Sequence, residues 1–484
     1  VPDRVPAVLG LDVGTTEAKA ALIGLDGRLL GFGRAGYPLD IGPGGRAEQD
    51  PRRWWRAVAE AVRAIDAGDA ARGGGAPRGG GAVDAGGAEV LAICAVSQGP
   101  TLVVVDPAGE PVRPAITWQD RRAGGTGFGL LPKIAWLARE DPEAAARAAW
   151  LLPAWDAAGL WLSGEAASSL QGHETPSDEA ALARAGVRAS QLPPAMPFGS
   201  RLGLLRPAAA AELGLPAGIP VIAGVNDGAA SMLGAGLRLA GDAVDTGGTS
   251  GGIGIYADRP VTLPVAGLYQ APAPIPGRWV VGGAMAALGA SVDWLRSAVL
   301  GDRWSADELF AEARSVPAGA NGLVFLPYLA GERAPIFDEG ARGAFVGLTL
   351  AHGRAHLVRA VLEGAAFAMR HVAEPLAAAG APAAELRMAG RPSRDDIWAR
   401  IKADVLGVPA AIPAMGETAV LGAAIIAAAG VGAVGSLEEG VAAMTSVARR
   451  LEPDPATRPA YDEAFGAYLA LYPALRPLQP PRDG

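Results

Sequence analysis

The chain has 484 residues, half of them apolar and 19% charged, with a formal net charge of −8. That length supports two or three domains with sizeable cores, and the acidic balance excludes a nucleic-acid surface built on overall positive charge. The single cysteine, Cys94, excludes a disulfide within the chain and, in its apolar run, reads as a small buried hydrophobe.

The opening residues run directly into a strand over Ala7–Leu11. No secretory leader is read there, so a cytoplasmic protein is expected. A tight turn, Asp12-Val13-Gly14-Thr15-Thr16, leads into a second strand, Lys19–Leu25. Asp26-Gly27 then marks a hairpin into a third, Arg28–Arg34. Consecutive hairpins argue against a dinucleotide-binding βαβ unit, whose first glycine-rich turn opens a helix. Arg53–Ala67 has helical spacing with Trp54, Val58, Ala61 and Val62 on one face, and Gly68–Gly87 reads as a mobile Gly/Ala-rich insertion. Strands return at Val90–Val96, Thr101–Val105 and Ala115–Trp118. A mainly helical stretch covers about residues 130 to 215, then a buried strand, Pro220–Gly224, runs through Asn226-Asp227 into an Ala-rich helix.

A second glycine-rich turn, Asp245-Thr246-Gly247-Gly248-Thr249-Ser250, joins strands at Gly241–Val244 and Gly252–Tyr256. The domain boundary is therefore placed at 238/239, giving domains 1–238 and 239–484. Beyond it come a strand at Leu323–Tyr328 and a long helix from Gly353. A strand-to-helix passage follows through Ala389-Gly390-Arg391, and the Pro-rich tail after Leu451 reads as peripheral. Leu421–Val434 is apolar but too short to span a bilayer. Turns of this composition gather backbone N–H and hydroxyl groups toward one point, which suits a phosphate. Two of them suggest two related domains that clamp one nucleotide.

In order along nearly the whole chain, these segments resemble the FGGY carbohydrate kinases of the actin-like ATPase superfamily. The resemblance is carried by Leu9–Thr16 with Lys19, by Glu48-Gln49-Asp50-Pro51 with Trp54-Trp55, and by Trp118-Gln119-Asp120-Arg121. It continues through Ala223–Asp227, Leu233–Gly236 and Gly322 to Glu363, and a further signature over Phe128–Glu140 departs at Leu130. It implies an α/β fold of two RNase-H-like domains with the active site in the cleft between them. It also implies ATP and Mg²⁺ as cofactors and a small sugar or polyol as substrate, with no nucleic acid or membrane as partner. A homodimer is the assembly expected.

By the same resemblance Asp227 is the general base and Asp12 holds Mg²⁺. Gln98, Trp118, Asp120 and Glu48 line the sugar side. Gly14, Thr15, Thr16, Gly248, Thr249 and Ser250 surround the phosphates, and Gly390 and Arg391 flank the adenine. From the residues alone, Asp227 reads first as a helix cap, and Asp12 equally as a turn former. Arg121 and Arg122 are offered as offsets for phosphate charge. The four histidines lack metal-ligand spacing and read as capping or solvent-face residues.

Two departures stand out. Xylulose kinases of this type carry Gln-Met-His-Gly where this chain has Gln98-Gly99-Pro100-Thr101, and Pro100 has no donor to offer a sugar. The usual glycine run on the adenine side is Ala389-Gly390-Arg391-Pro392-Ser393 here. A ketopentose such as D-xylulose is the substrate expected first and glycerol or another polyol second. The alternative of another class is a sugar-binding regulator built on a degenerate kinase.

Overall fold

The computed structural model describes residues 4–65, 87–124, 129–169, 179–248, 250–390 and 395–479. The chain divides into two compact units, Val1–Gly234 with Glu417–Thr445, and Ala235–Gly416 with Ser446–Gly484.

Unit 1 opens with the hairpins read from the sequence, β1 (Val5–Val13), β2 (Glu17–Gly24) and β3 (Leu29–Gly36). Next come β4 (Asp40–Gly42), β5 (Arg46–Gln49), a helix over Pro51–Arg63, β6 (Ala88–Ser97), β7 (Leu102–Val105) and β8 (Ala115–Ile116). The region read as mainly helical contains two further strands, β9 (Trp150–Pro153) and β10 (Arg201–Leu204). The last strand of the unit is β11 (Pro220–Ile222). The main sheet has the order β10-β11-β6-β1-β2-β3, with β11, β6 and β1 parallel and the other pairs antiparallel. A second sheet runs β4-β5-β8-β7-β9. Asp50 caps the first helix by accepting from the Arg52 N–H. Its apolar face buries Trp54, Val58, Ala61 and Val62. Cys94 is buried in β6, where desolvation pushes its thiol pKa up.

The segment Glu417–Thr445 groups with unit 1 although it lies late in the chain. Its helix, Thr418–Gly430, is buried along almost its whole length and packs on β1 and on the helix Asp227–Gly234. That crossing depends on glycine: a Cβ on Gly234 would lie 1.9 Å from the Thr418 carbonyl oxygen, and one on Gly422 1.9 Å from that of Ala230. No helix among the described residues is long and apolar enough to cross a membrane.

Unit 2 repeats the plan. β12 (Asp242–Asp245) and β13 (Gly252–Ala257) form the hairpin around the second turn. β14 (Leu268–Pro272), β15 (Trp279–Ala284) and a small pair, β16 (Val324–Leu326) with β17 (Ala344–Val346), follow. The unit closes with β18 (Glu385–Met388), β19 (Ala410–Pro413) and β20 (Val447–Leu451). The order is β14-β15-β13-β12-β18-β19-β20, with β12, β18 and β19 parallel. β12 thus corresponds to β1, and β18 to β6. The long helix, Arg354–Ala378, lies in the core. The tail is not peripheral: the helix Arg458–Leu475 buries Tyr461, Phe465 and Tyr468 against Phe367. Pro459 and Pro473 sit near its ends and hide that stripe from a composition reading.

Candidate active site

Three parallel strands, β1, β6 and β11, end at one edge of the unit 1 sheet. Their ends carry Asp12, Gln98 and Asn226-Asp227, and Ser97 pairs both with Val13 and with Asn226. Ligands gather at the carboxyl ends of parallel strands because loops and helix N-termini converge there.

Asp12 is 6% exposed, and its Oδ1 has no hydrogen-bond partner among the described residues. In the β1–β2 register it stands opposite Lys19. Lys19 is drawn to other carboxylates, with Nζ 2.8 Å from Glu417 and 3.6 Å from Glu17. Burial therefore pushes the Asp12 pKa up to about 7. The nearby Asp227 charge adds to the rise and Lys19 opposes it. Burial also opposes the Lys19 charge, but Asp12, Glu417 and Glu17 outweigh it and hold that pKa above its ordinary value.

Asp227 opens the helix Asp227–Gly234 but is not its cap. Asn226 accepts from the Ala229 N–H at 2.8 Å, while Asp227 Oδ1 accepts from Gly228 at 2.8 Å. The Asp227 residue is half-buried. Desolvation raises its pKa to about 6 against the lowering effect of two backbone N–H groups and Lys19. Near neutral pH it is mostly ionised, as a proton acceptor must be.

The first turn is pinned by its carbonyls. Those of Gly14 and Thr16 accept from the Tyr37 hydroxyl and N–H at 2.5 and 2.9 Å, and that of Thr15 accepts from Gln49 at 2.7 Å. The Gly14 N–H itself donates to the Glu17 carbonyl. Trp118 is 38% exposed, and its indole N–H donates to the Thr15 hydroxyl at 3.0 Å.

Glu48 and Asp120 are buried and already engaged. Arg122 lies 2.6 Å from each, and Arg113 lies 2.5 Å from Glu48. Burial works against the Asp120 charge, yet Arg122 and the Ala47 N–H hold its pKa below the ordinary value. Arg122 stacks on Trp136 at 4.3 Å, so it belongs to this cluster and is not an uncommitted cation. Both carboxylates brace the loop that carries Arg122 and present no unpaired charge.

In unit 2 the second turn closes with the Thr246 N–H on the Gly252 carbonyl. Gly247, Gly248 and Gly251 all hold positive φ. Gly390, at φ 97°, packs on this turn, and a Cβ there would lie 3.5 Å from the Gly247 Cα. Gly248 and Gly390 are thereby brought together, and the Ser250 carbonyl accepts from Leu288 at 2.8 Å. Thr249 and Arg391 lie outside the described residues, as does Gly68–Gly86. Asp245, buried, accepts from the Gly247 N–H at 2.9 Å and is paired with Lys402 at 2.5 Å.

His352 and His356 accept from backbone N–H groups at the start of the long helix, a capping role. His173 is outside the described residues. Among those residues no three His, Cys, Asp or Glu side chains converge as a metal cage. Glu417, Tyr37 and Lys402 are given no site role by the sequence, and Gln49 enters it only within the Glu48-Gln49-Asp50-Pro51 motif. Each acts through partners remote in the chain, and only the proximity of Gln49 to Glu48 gave any local signal.

Two units with hairpin-led mixed sheets, the first with an acidic site at its strand ends, define an actin-like ATPase architecture, and the relatives agree. Residues 7–130 match the FGGY family of carbohydrate kinases, N-terminal domain, and residues 243–431 its C-terminal domain. A glycerol kinase from Thermus brockianus is 32% identical over 476 residues, 88% of this chain and 90% of that protein. A gluconokinase from Bacillus licheniformis is 27% identical over 509 residues, 97% of this chain and 96% of that protein. The crystal structure of xylulose kinase from Rhodospirillum rubrum superposes with a TM-score of 0.83 at 30% identity, covering 98% of this chain and 99% of that one. The chain belongs to the FGGY family of carbohydrate kinases and is an enzyme that phosphorylates a sugar.

Proposed function

We propose that this chain transfers the γ-phosphoryl group of ATP to a hydroxyl of a small sugar or polyol, with Asp227 as general base. The observation that carries the reading is the pair Asp12 and Asp227. One has a bare, buried oxygen, and the other has been released from capping by Asn226. As the acceptor oxygen bonds to the γ-phosphorus, the bond to the β-phosphate oxygen breaks and ADP leaves. The hydroxyl proton passes to Asp227. The protein's part is orientation, charge balance and a place for that proton.

The orphaned Asp12 Oδ1 fits Mg²⁺ or one of its waters, because that ion keeps several waters and takes one or two carboxylates plus phosphate oxygens. When bound, the ion offsets charge on the phosphates. Thr15 and Thr16 in the pinned turn, and Gly248, Thr249 and Ser250 in the second, are offered as phosphate contacts. Gly390 and Arg391 are offered as adenine contacts.

On the acceptor side we place Gln98 and the exposed face of Trp118, with Glu48 and Asp120 acting through Arg122 and the loop they brace. A ketopentose such as D-xylulose is the first candidate, glycerol or another polyol the second. Pro100 takes a donor away from the xylulose-type pattern. Relatives named for glycerol, gluconate and xylulose at similar identity do not rank the acceptors. The intact Asp12–Asp227 pair counts against a degenerate regulator.

A coupled assay for ADP, with Mg-ATP and D-xylulose, glycerol or D-gluconate, tests the proposal. Turnover is expected with D-xylulose above the others. Turnover of glycerol without D-xylulose would reverse the order, and turnover of none would remove the activity.

A further inference from the structure

One buried amide reaches both sides of the site. Gln49, at 1% exposure, donates through Nε2 to the Thr15 carbonyl at 2.7 Å and the Pro38 carbonyl at 3.2 Å. Its Oε1 accepts from the Trp54 indole at 3.2 Å and from Gln98 Nε2 at 2.8 Å. All its hydrogen-bonding positions are thus occupied.

The chemistry of the partners fixes which end of each amide points where. An indole N–H can only donate and a carbonyl can only accept, so Gln49 must turn its oxygen to Trp54 and its nitrogen to Thr15 and Pro38. Gln98 must then offer its NH₂ to the Gln49 oxygen. Its own Oε1 is left over, buried and with no partner among the described residues. A buried acceptor without a donor is costly and calls for one from a fitted group. Gln98 also stands where β6 ends, with its N–H donating to the Val13 carbonyl, beside the strand ends that carry Asp12 and Asp227.

We propose that Gln49 is a positioning residue that locks the Thr15 turn and the Gln98 side chain into one unit. The lock leaves Gln98 Oε1 as an acceptor dedicated to a hydroxyl of the substrate. The consequence concerns substrate class. An oxygen held in this orientation welcomes a hydroxyl donor and repels a carboxylate or ketone oxygen placed opposite it. The inference rests on the kinase reading above.

The test uses the full chain with Mg-ATP and whichever of D-xylulose, glycerol and D-gluconate turns over best. Gln98→Met is expected to raise the acceptor KM about tenfold and leave the ATP KM unchanged. Gln49→Met is expected to raise both KM values, because the Thr15 turn loses its tether as well. A Gln49→Met enzyme with both wild-type KM values, altered only in melting temperature or active fraction, would overturn the proposal.

A second measurement does not need turnover. With nitrogen-15 in glutamine alone, the Gln98 side-chain amide protons should exchange slowly with water in the wild type and rapidly in Gln49→Met. If no acceptor is phosphorylated, the kinase reading falls, while slow exchange that depends on Gln49 still upholds the lock. Rapid exchange in the wild type overturns the lock whatever the activity.

Discussion

Asp12 and Asp245 sit in matching places, each near the end of the first strand of its unit's central hairpin and followed by a glycine-rich turn. Their environments are opposite. Asp245 is closed off by Lys402 and by the Gly247 N–H. Asp12 keeps a bare oxygen because the lysine facing it, Lys19, is drawn to Glu417 and Glu17. One carboxylate is spent on holding its turn. The other is left desolvated with an unpartnered oxygen, which suits the ligand role proposed for it. The partner set, not the local motif, separates the two acids.

The contrast can be broken first at Asp245. Asp245→Asn leaves the Lys402 ammonium, 2% exposed, without its counter-charge. A cost of about 3–5 kcal/mol is expected, because an unpaired buried charge is more costly than the pair it came from. Urea denaturation followed by tryptophan fluorescence measures it. A loss below about 1 kcal/mol would mean that Lys402 finds another partner.

Asp12→Asn should do the reverse to stability while removing function. The folded pKa of Asp12, about 7, lies above its unfolded value of 3.8. The group therefore favours the fold below the unfolded value, and that advantage is lost as pH rises through about 7. The variant should melt at least about 2 °C higher than wild type at pH 8, with the gap closing near pH 4. Phosphorylation should drop by at least about a hundredfold. Calorimetry at the two pH values reads the first and the ADP assay the second.

A smaller effect sharpens the picture of Asp227. With pKa values near 6 for Asp227 and about 7 for Asp12, kcat/KM should fall by more than about tenfold per pH unit below pH 6, as both required carboxylates take up protons. A profile flat from pH 7 to pH 5 would separate Asp227 from the rate.

Much of this was legible in the sequence because it is local. The hairpins through Gly27, the Trp54 face of the first helix and the two Asp-led turns are written in neighbouring residues. The remainder depends on contacts across hundreds of positions. Nothing near Glu417 marks it as the partner of Lys19, and the buried helix that follows it reads only as an apolar run. The Asn226 cap was hidden by Asp227, an equally good capping residue one place on. Arg122 reads as an uncommitted cation until Glu48, Asp120 and Trp136 are folded around it. Two strands, β9 and β10, were lost in a stretch whose alanines favour helix on propensity but whose partners favour sheet.

The half-buried carboxylate of Asp227, just beyond β11, is the group on which phosphoryl transfer is proposed to depend. The direct test is product formation by Asp227→Ala with the acceptor the wild type uses, beside circular dichroism and melting of the same sample. A loss of at least about a thousandfold with the fold unchanged is predicted. Undiminished transfer by a folded variant would contradict it.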